Sequence, residues 1–123
     1  MRKVLQSTLE SRLRKWQKKL KLDGWHIKIR YKSCGEDAAA MVFCEPLERT
    51  AIINVHPQYY LKEGYRISWD LDSLIVHELL HVEMWEEINK LPQKMREHVK
   101  FEAFEEYLCF RYAKIIVDIN KRR

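Results

Sequence analysis

Two histidines four residues apart, His77 and His81, bracket Glu78-Leu79-Leu80. On an α-helix, residues at that separation stand one above the other, so both imidazoles can bind a single zinc ion. Glu78, about 100° further round the helix than His77, can reach a water on that metal and act as its general base. The chemistry open to this trio is metal-assisted hydrolysis, usually of a peptide bond: Glu78 takes a proton from the attacking water and later passes it to the leaving amine. The developing oxyanion needs a donor besides the metal, and the candidates are Tyr59, Tyr60, Tyr65, Tyr107 and His56.

The surrounding residues place the trio on a helix. Asp70-Leu71-Asp72-Ser73 supplies N-cap residues and acidic charge ahead of Leu74-Ile75-Val76, and helix formers continue through Met84 and Trp85 to about Glu87. Leu74, Ile75, Leu79 and Val82 are expected in the core.

A catalytic zinc site takes three protein ligands and leaves one position to water. The metzincin arrangement requires a Gly three residues after the second His and a third His beyond it. Met84 and Glu87 occupy those places, so the helix runs on and carries Glu87 about 9 Å along its axis from His81. The third ligand must then come from another element. Residues 94–119 read as a second helix, with Val99, Phe101, Phe104, Leu108, Tyr112, Ile115, Ile116 and Ile119 at helical spacing after the break at Leu91-Pro92. It carries Glu102, Glu105 and Glu106, and His98 near its start. With the apolar stripe centred on Phe101, Leu108 and Ile119, Glu105 lies about 40° from its centre, Glu102 about 100° and Glu106 about 140°. Burial alone selects Glu105.

The segment Phe101-Glu102-Ala103-Phe104-Glu105-Glu106 resembles the Glu-Xaa-Xaa-Xaa-Asp segment of gluzincins, the thermolysin-like zinc peptidases. The resemblance implies Glu102 as third zinc ligand, with Glu105 as second choice, and Glu106 as the acid that hydrogen-bonds a ligand histidine. A small Ala103 would let the two helices approach.

The rest of the chain reads as a scaffold for this helix pair. Val4, Leu5, Leu9, Leu13, Trp16 and Leu20 follow helical spacing over residues 2–22, and Asp23-Gly24 stops that helix. Trp25, Ile27, Ile29 and Tyr31 alternate with His26, Lys28, Arg30 and Lys32, as in a half-buried strand, which makes His26 a surface residue. After a turn at Cys34-Gly35-Glu36-Asp37, short strands are expected at Ala39–Cys44 and Thr50–Val55, joined around Glu45-Pro46-Leu47-Glu48. The fold expected is α+β: an N-terminal helix, a small three-stranded antiparallel or mixed sheet, the motif helix, and a C-terminal helix with the third ligand.

That order resembles the minimal gluzincins over nearly the whole chain. It is most similar to small metallopeptidases encoded by bacteriophages, and more distantly similar to SprT-like and ImmA-like proteases. SprT-like proteins use a third histidine, for which only His98 is placed. The resemblance implies a zincin-like fold, one zinc ion, and a peptide or protein substrate. It also implies that the last strand before the motif helix, Ala51–Val55, forms the sheet edge beside the cleft, where an extended peptide can add main-chain hydrogen bonds.

At 123 residues and 46% hydrophobic, the chain can bury one core as a single domain over 1–123, without a separate recognition domain. Cysteines at 34, 44 and 109 lack metal-ligand spacing, and their odd number argues against a disulfide framework, so a cytoplasmic setting is expected, the host cytoplasm if the chain is phage-encoded. No run is apolar and long enough for a membrane span, and the N-terminus lacks the apolar core of a secretory signal. The net charge of +5 collects at Arg12, Arg14, Lys15, Lys18, Lys19 and Lys21 and at Lys121-Arg122-Arg123. Such faces attract nucleic acid without specifying it, and a solvated helix face is the preferred reading. The oligomeric state is not legible in the sequence.

Two rivals stand beside the peptidase. A non-catalytic module could use zinc for stability, but it needs no general base and usually fills the fourth position with Cys or His. A zinc amidase or deformylase would carry Gly-rich and Cys-containing motifs that this chain lacks.

Overall fold

The computed structural model describes residues 5–33, 39–45, 47–57, 70–90, 92 and 101–121, with the side chains of 88, 89 and 101–108 excluded. In chain order the described elements are α1 (Gln6–Lys19), β1 (His26–Tyr31), β2 (Ala40–Glu45), β3 (Thr50–Val55), α2 (Leu71–Asn89) and α3 (Phe101–Lys121). The architecture is α+β, with a three-stranded mixed sheet in the order β1-β3-β2.

Helix α1 is shorter than residues 2–22. Residues 1–4 lie outside the described set, and Leu5 is the exposed residue preceding the first turn. At the other end Lys21, not the Asp23-Gly24 pair, stops the helix, because its φ of 57° is left-handed. The Leu22 N–H then bonds the Gln17 carbonyl at 2.9 Å and the Lys21 N–H bonds the Lys18 carbonyl at 3.1 Å, the two bonds of a Schellman cap. Buried Gln17 fixes the turn further, its Nε2 donating to the carbonyls of Leu22 and Trp25.

Strand β1 alternates as its sequence does, with Ile27 and Ile29 buried and His26, Lys28 and Arg30 exposed. It pairs in parallel with β3, matching Ile27 to Ala51 and Ile29 to Ile53. Strand β2 pairs antiparallel with β3 on its other side, matching Val42 to Ile53, with residues 47–49 in a turn ahead of β3. Strand β3 is therefore central, and the sheet edge that the resemblance assigned to Ala51–Val55 belongs to β2. The physical sign is burial on both faces: Ala51, Ile53 and Val55 face the core while Asn54 is buried on the opposite side, where Arg30 donates to its Oδ1. The near-continuous apolar run Ala51-Ile52-Ile53 is the sequence of an inner strand, whereas β2 alternates between half-buried and exposed.

Helix α2 starts where the sequence indicated. Asp70 is its N-cap, its Oδ1 accepting the Ser73 N–H at 2.6 Å and its carbonyl the Leu74 N–H at 3.0 Å. Leu74, Ile75, Leu79 and Val82 are buried as expected, and so are Val76 and His77, because α1, the sheet and α3 surround the first half of the helix. Asp72 ties α2 to α1, accepting from Trp16 Nε1 and from the Arg12 guanidinium, both at 2.9 Å. At the far end Glu86 accepts from Trp25 Nε1 and pairs with Arg49 at 2.9 Å, fastening the start of β1 and the β2–β3 hairpin to α2.

Helix α3 buries a different stripe from the one its sequence suggested. Cys109, Ala113 and Val117 are buried with Ile116 partly so, whereas Tyr112, Ile115 and Ile119 are exposed. Large apolar residues stand on its outer face, and small ones face α2, where helices need close approach. The expected turns at residues 94–100 lie outside the described set.

Candidate metal centre

The helix from Asp70 delivers His77 and His81 one turn apart, and their rings converge. The two Nε2 atoms lie 3.2 Å apart, with ring planes at 64° and centroids 4.9 Å apart. Zinc holds imidazole nitrogens about 2.0–2.1 Å away in a tetrahedron, which spaces two such nitrogens about 3.3 Å apart. An N–H···N hydrogen bond between neutral rings has a similar length, so the pair is preset for either a shared proton or a shared metal. His77 is 4% exposed, whereas His81 is half-buried and reaches solvent. One imidazole is thus anchored in the core and the other faces the cleft.

Glu78 is 5% exposed and lines, with His81, a cleft of about 170 Å³ whose other walls are Ala40, Met41 and Val42 of β2 and Trp85 of α2. The trio that the sequence singled out is therefore placed together, with the carboxylate and one imidazole on a single opening. The cleft borders Ala40, Met41 and Val42 of β2, the outer strand beside β3 among the described residues.

Among the described residues no group of three metal-ligating side chains forms, and the side chains of Glu102, Glu105, Glu106 and Tyr107 and all of His98 lie outside the description. The backbone of α3 still fixes their phase. At about 100° per residue, Glu102 and Glu106 fall within about 20° of the centre of the Cys109–Ala113–Val117 face and Glu105 falls about 80° away. This reverses the ranking by apolar stripe, which placed Glu105 nearest. Axial position pulls the other way. Asp70 pairs with Lys121 at 3.6 Å and Met84 Sδ meets Cys109 Sγ at 3.6 Å, so α2 and α3 run antiparallel. At about 1.5 Å per residue, the backbones of Glu106 and Glu102 then lie roughly 9 Å and 15 Å beyond His81 along the α2 axis.

No protein-family model, curated protein or solved structure matches this chain. The site is left to its own geometry.

Of the oxyanion candidates, Tyr59, Tyr60 and Tyr65 lie outside the described residues. His56 is buried at the end of β3, its backbone N–H donating to the Ala39 carbonyl at 2.8 Å. His26 is exposed on β1, as its alternation indicated. The sequence reading missed Trp85 and the β2 residues of the cleft. Trp85 stands four residues after His81 and seven after Glu78, and that spacing was available as a signal. No described helix is long and apolar enough to cross a membrane.

Proposed function

We propose that this chain is a zinc-dependent metallopeptidase of the minimal gluzincin type, hydrolysing a peptide or protein substrate in the cytoplasm. The observation that carries the reading is the 3.2 Å convergence of His77 and His81 Nε2 on a helix whose Glu78 shares a cleft with His81. His77 and His81 would hold one zinc ion. The third ligand would come from the α3 face that carries Glu102 and Glu106, with Glu102 chosen by the resemblance and Glu105 and His98 as alternatives. Such an ion supplies a Lewis acid that polarises a carbonyl and makes water nucleophilic near neutral pH. Glu78 accepts the proton of the water that adds to the carbonyl and returns it to the nitrogen as the C–N bond breaks. Its burial keeps competing solvent from the carboxylate, and the β2 edge holds an extended main chain in line with it.

The test is metal content and hydrolysis measured on the same preparations. Wild type is expected to bind one zinc and cleave an unfolded protein in preference to a formyl-peptide. His77→Ala and Glu102→Ala lose the metal. If Glu102→Ala keeps it, the same assay on Glu106→Ala, Glu105→Ala and His98→Ala finds the third ligand. Zinc without Glu78-dependent cleavage of either substrate would make the chain a zinc-stabilised binding module, preference for the formyl-peptide would make it a deformylase, and absence of zinc from wild type would end the reading.

A further inference from the structure

We infer that the outer face of α3 is the seam of a homodimer, in which two copies of the chain pair their C-terminal helices antiparallel through Tyr112, Ile115 and Ile119. The seam is separate from the face of α3 that packs on α2 and stands independently of the metal reading.

Tyr112, Ile115 and Ile119 are 48%, 40% and 49% exposed, while Cys109, Ala113 and Val117 are buried. The two sets lie about 130° apart round the helix. Single apolar residues scattered over a surface are ordinary, but these three form one stripe across two turns. Their spacing of three and then four residues is the a and d pattern of a helix that packs against another helix, and Leu108 extends it in the sequence. Charge selects the partner and its direction. Exposed Arg111 and Asp118 stand one heptad apart on a single flank of the stripe. On the other flank, half-buried Ile116 packs against the chain's own core. In an antiparallel pair related by a two-fold axis, Tyr112 of each copy meets Ile115 of the other, and that register sets Arg111 of each copy beside Asp118 of the other. Two reciprocal ion pairs then close the charged side of the seam. A parallel pair would instead bring the charged flank of one copy to the Ile116 flank of the other, where neither charge is complemented. The charge of α3 along its length favours the same direction, since residues 101–110 carry three Glu and no Lys or Arg, whereas 111–121 carry Arg111, Lys114 and Lys121 against Asp118. Antiparallel pairing lays the acidic half on the basic half and opposes the helix dipoles. With so few large residues from each copy, the contact belongs to the small end of the interface range, and a dissociation constant on the order of micromolar or weaker is expected.

Sedimentation equilibrium of the full chain, from micromolar to several hundred micromolar, tests the seam. Wild type is expected to pass from monomer to dimer as its concentration rises. Ile115→Asp should stay monomeric throughout with an unchanged circular dichroism spectrum. Arg111→Asp and Asp118→Arg should each weaken the dimer by about tenfold, since either one turns both ion pairs into repulsions. The two substitutions in one chain keep the net charge of +5, re-form the pairs with exchanged signs and should restore wild-type association. This rescue depends on the pairing of residue 111 with residue 118 and does not require that any single variant be silent in folding. A wild type that is monomeric throughout, a dimer that Ile115→Asp leaves intact, or a double exchange no stronger than the single ones overturns the seam. Co-sedimentation of the same proteins with vesicles of phosphatidylcholine and phosphatidylserine examines the other occupant such a stripe can take. A monomeric wild type that binds the vesicles, with Ile115→Asp failing to, overturns the dimer and assigns the stripe to a lipid surface.

Discussion

Glu78 and Lys21 show how much one side chain decides. Glu78 is buried and shares a cleft with His81, and in the proposed mechanism it is a base and not a ligand, so exchange of its carboxylate for an amide would preserve shape and remove only proton transfer. Glu78→Gln should keep a full complement of zinc while hydrolysis of an unfolded protein falls by about 10²–10⁴-fold, the usual contribution of a general base. A parallel loss of metal would make Glu78 a ligand instead. Lys21 occupies the left-handed position of the α1 cap, where a Cβ costs about 1–2 kcal/mol and glycine recovers part of that after its own entropy cost. Lys21→Gly is expected to raise stability by about 0.5–1 kcal/mol, seen as a higher urea midpoint at unchanged slope. His77, Glu78 and His81 were legible as a trio because their spacing is a local property of one helix. The left-handed Lys21 was not, since any residue can be forced into that conformation by the Leu22 contact beyond it.

Strand identities and the start of the motif helix were legible, while the ends of α1 and the relations between elements were less so. Three strands and the capped motif helix followed from alternation and from Asp70, but the parallel β1–β3 pairing and the central position of β3 depend on partners distant in the chain. The buried face of α3 was misplaced because residue size was taken as the guide, whereas close helix packing selected Cys109 and Ala113 over Tyr112 and Ile115. The α1–α2 contact gives a prediction at this scale. Burial pushes the Asp72 carboxyl up, but the hydrogen bonds from Trp16 and Arg12 and the charges of Arg12 and Lys15 outweigh it, leaving its pKa below the ordinary 3.8. A carboxylate lowered by folding contributes stability that is complete above its ordinary pKa and is lost as pH falls through the lower folded value. Asp72→Ala should therefore cost about 2 kcal/mol at neutral pH, with the gap from wild type narrowing below about pH 4. A gap independent of pH in chemical unfolding would assign the contact to packing.

Across the whole molecule, the proposed zinc would add a link between α2 and α3, helices that already pack together with Cys109, Ala113 and Val117 buried. α2 and α3 meet at Met84 and Cys109 and at the exposed Asp70–Lys121 pair. An ion held by both helices would bind the folded chain but not the unfolded one. By mass action, zinc at about a thousand times its dissociation constant adds about 4 kcal/mol. At about 2–4 °C per kcal/mol for a domain of this size or somewhat larger, excess chelator should lower the melting temperature of wild type by about 10 °C. Glu78→Gln should show the same drop, because it keeps the ligands. His77→Ala should show none, because it begins without the metal. Should Glu102→Ala also retain the full chelator-sensitive shift while Glu106→Ala loses it, Glu106 is the carboxylate that joins the helices.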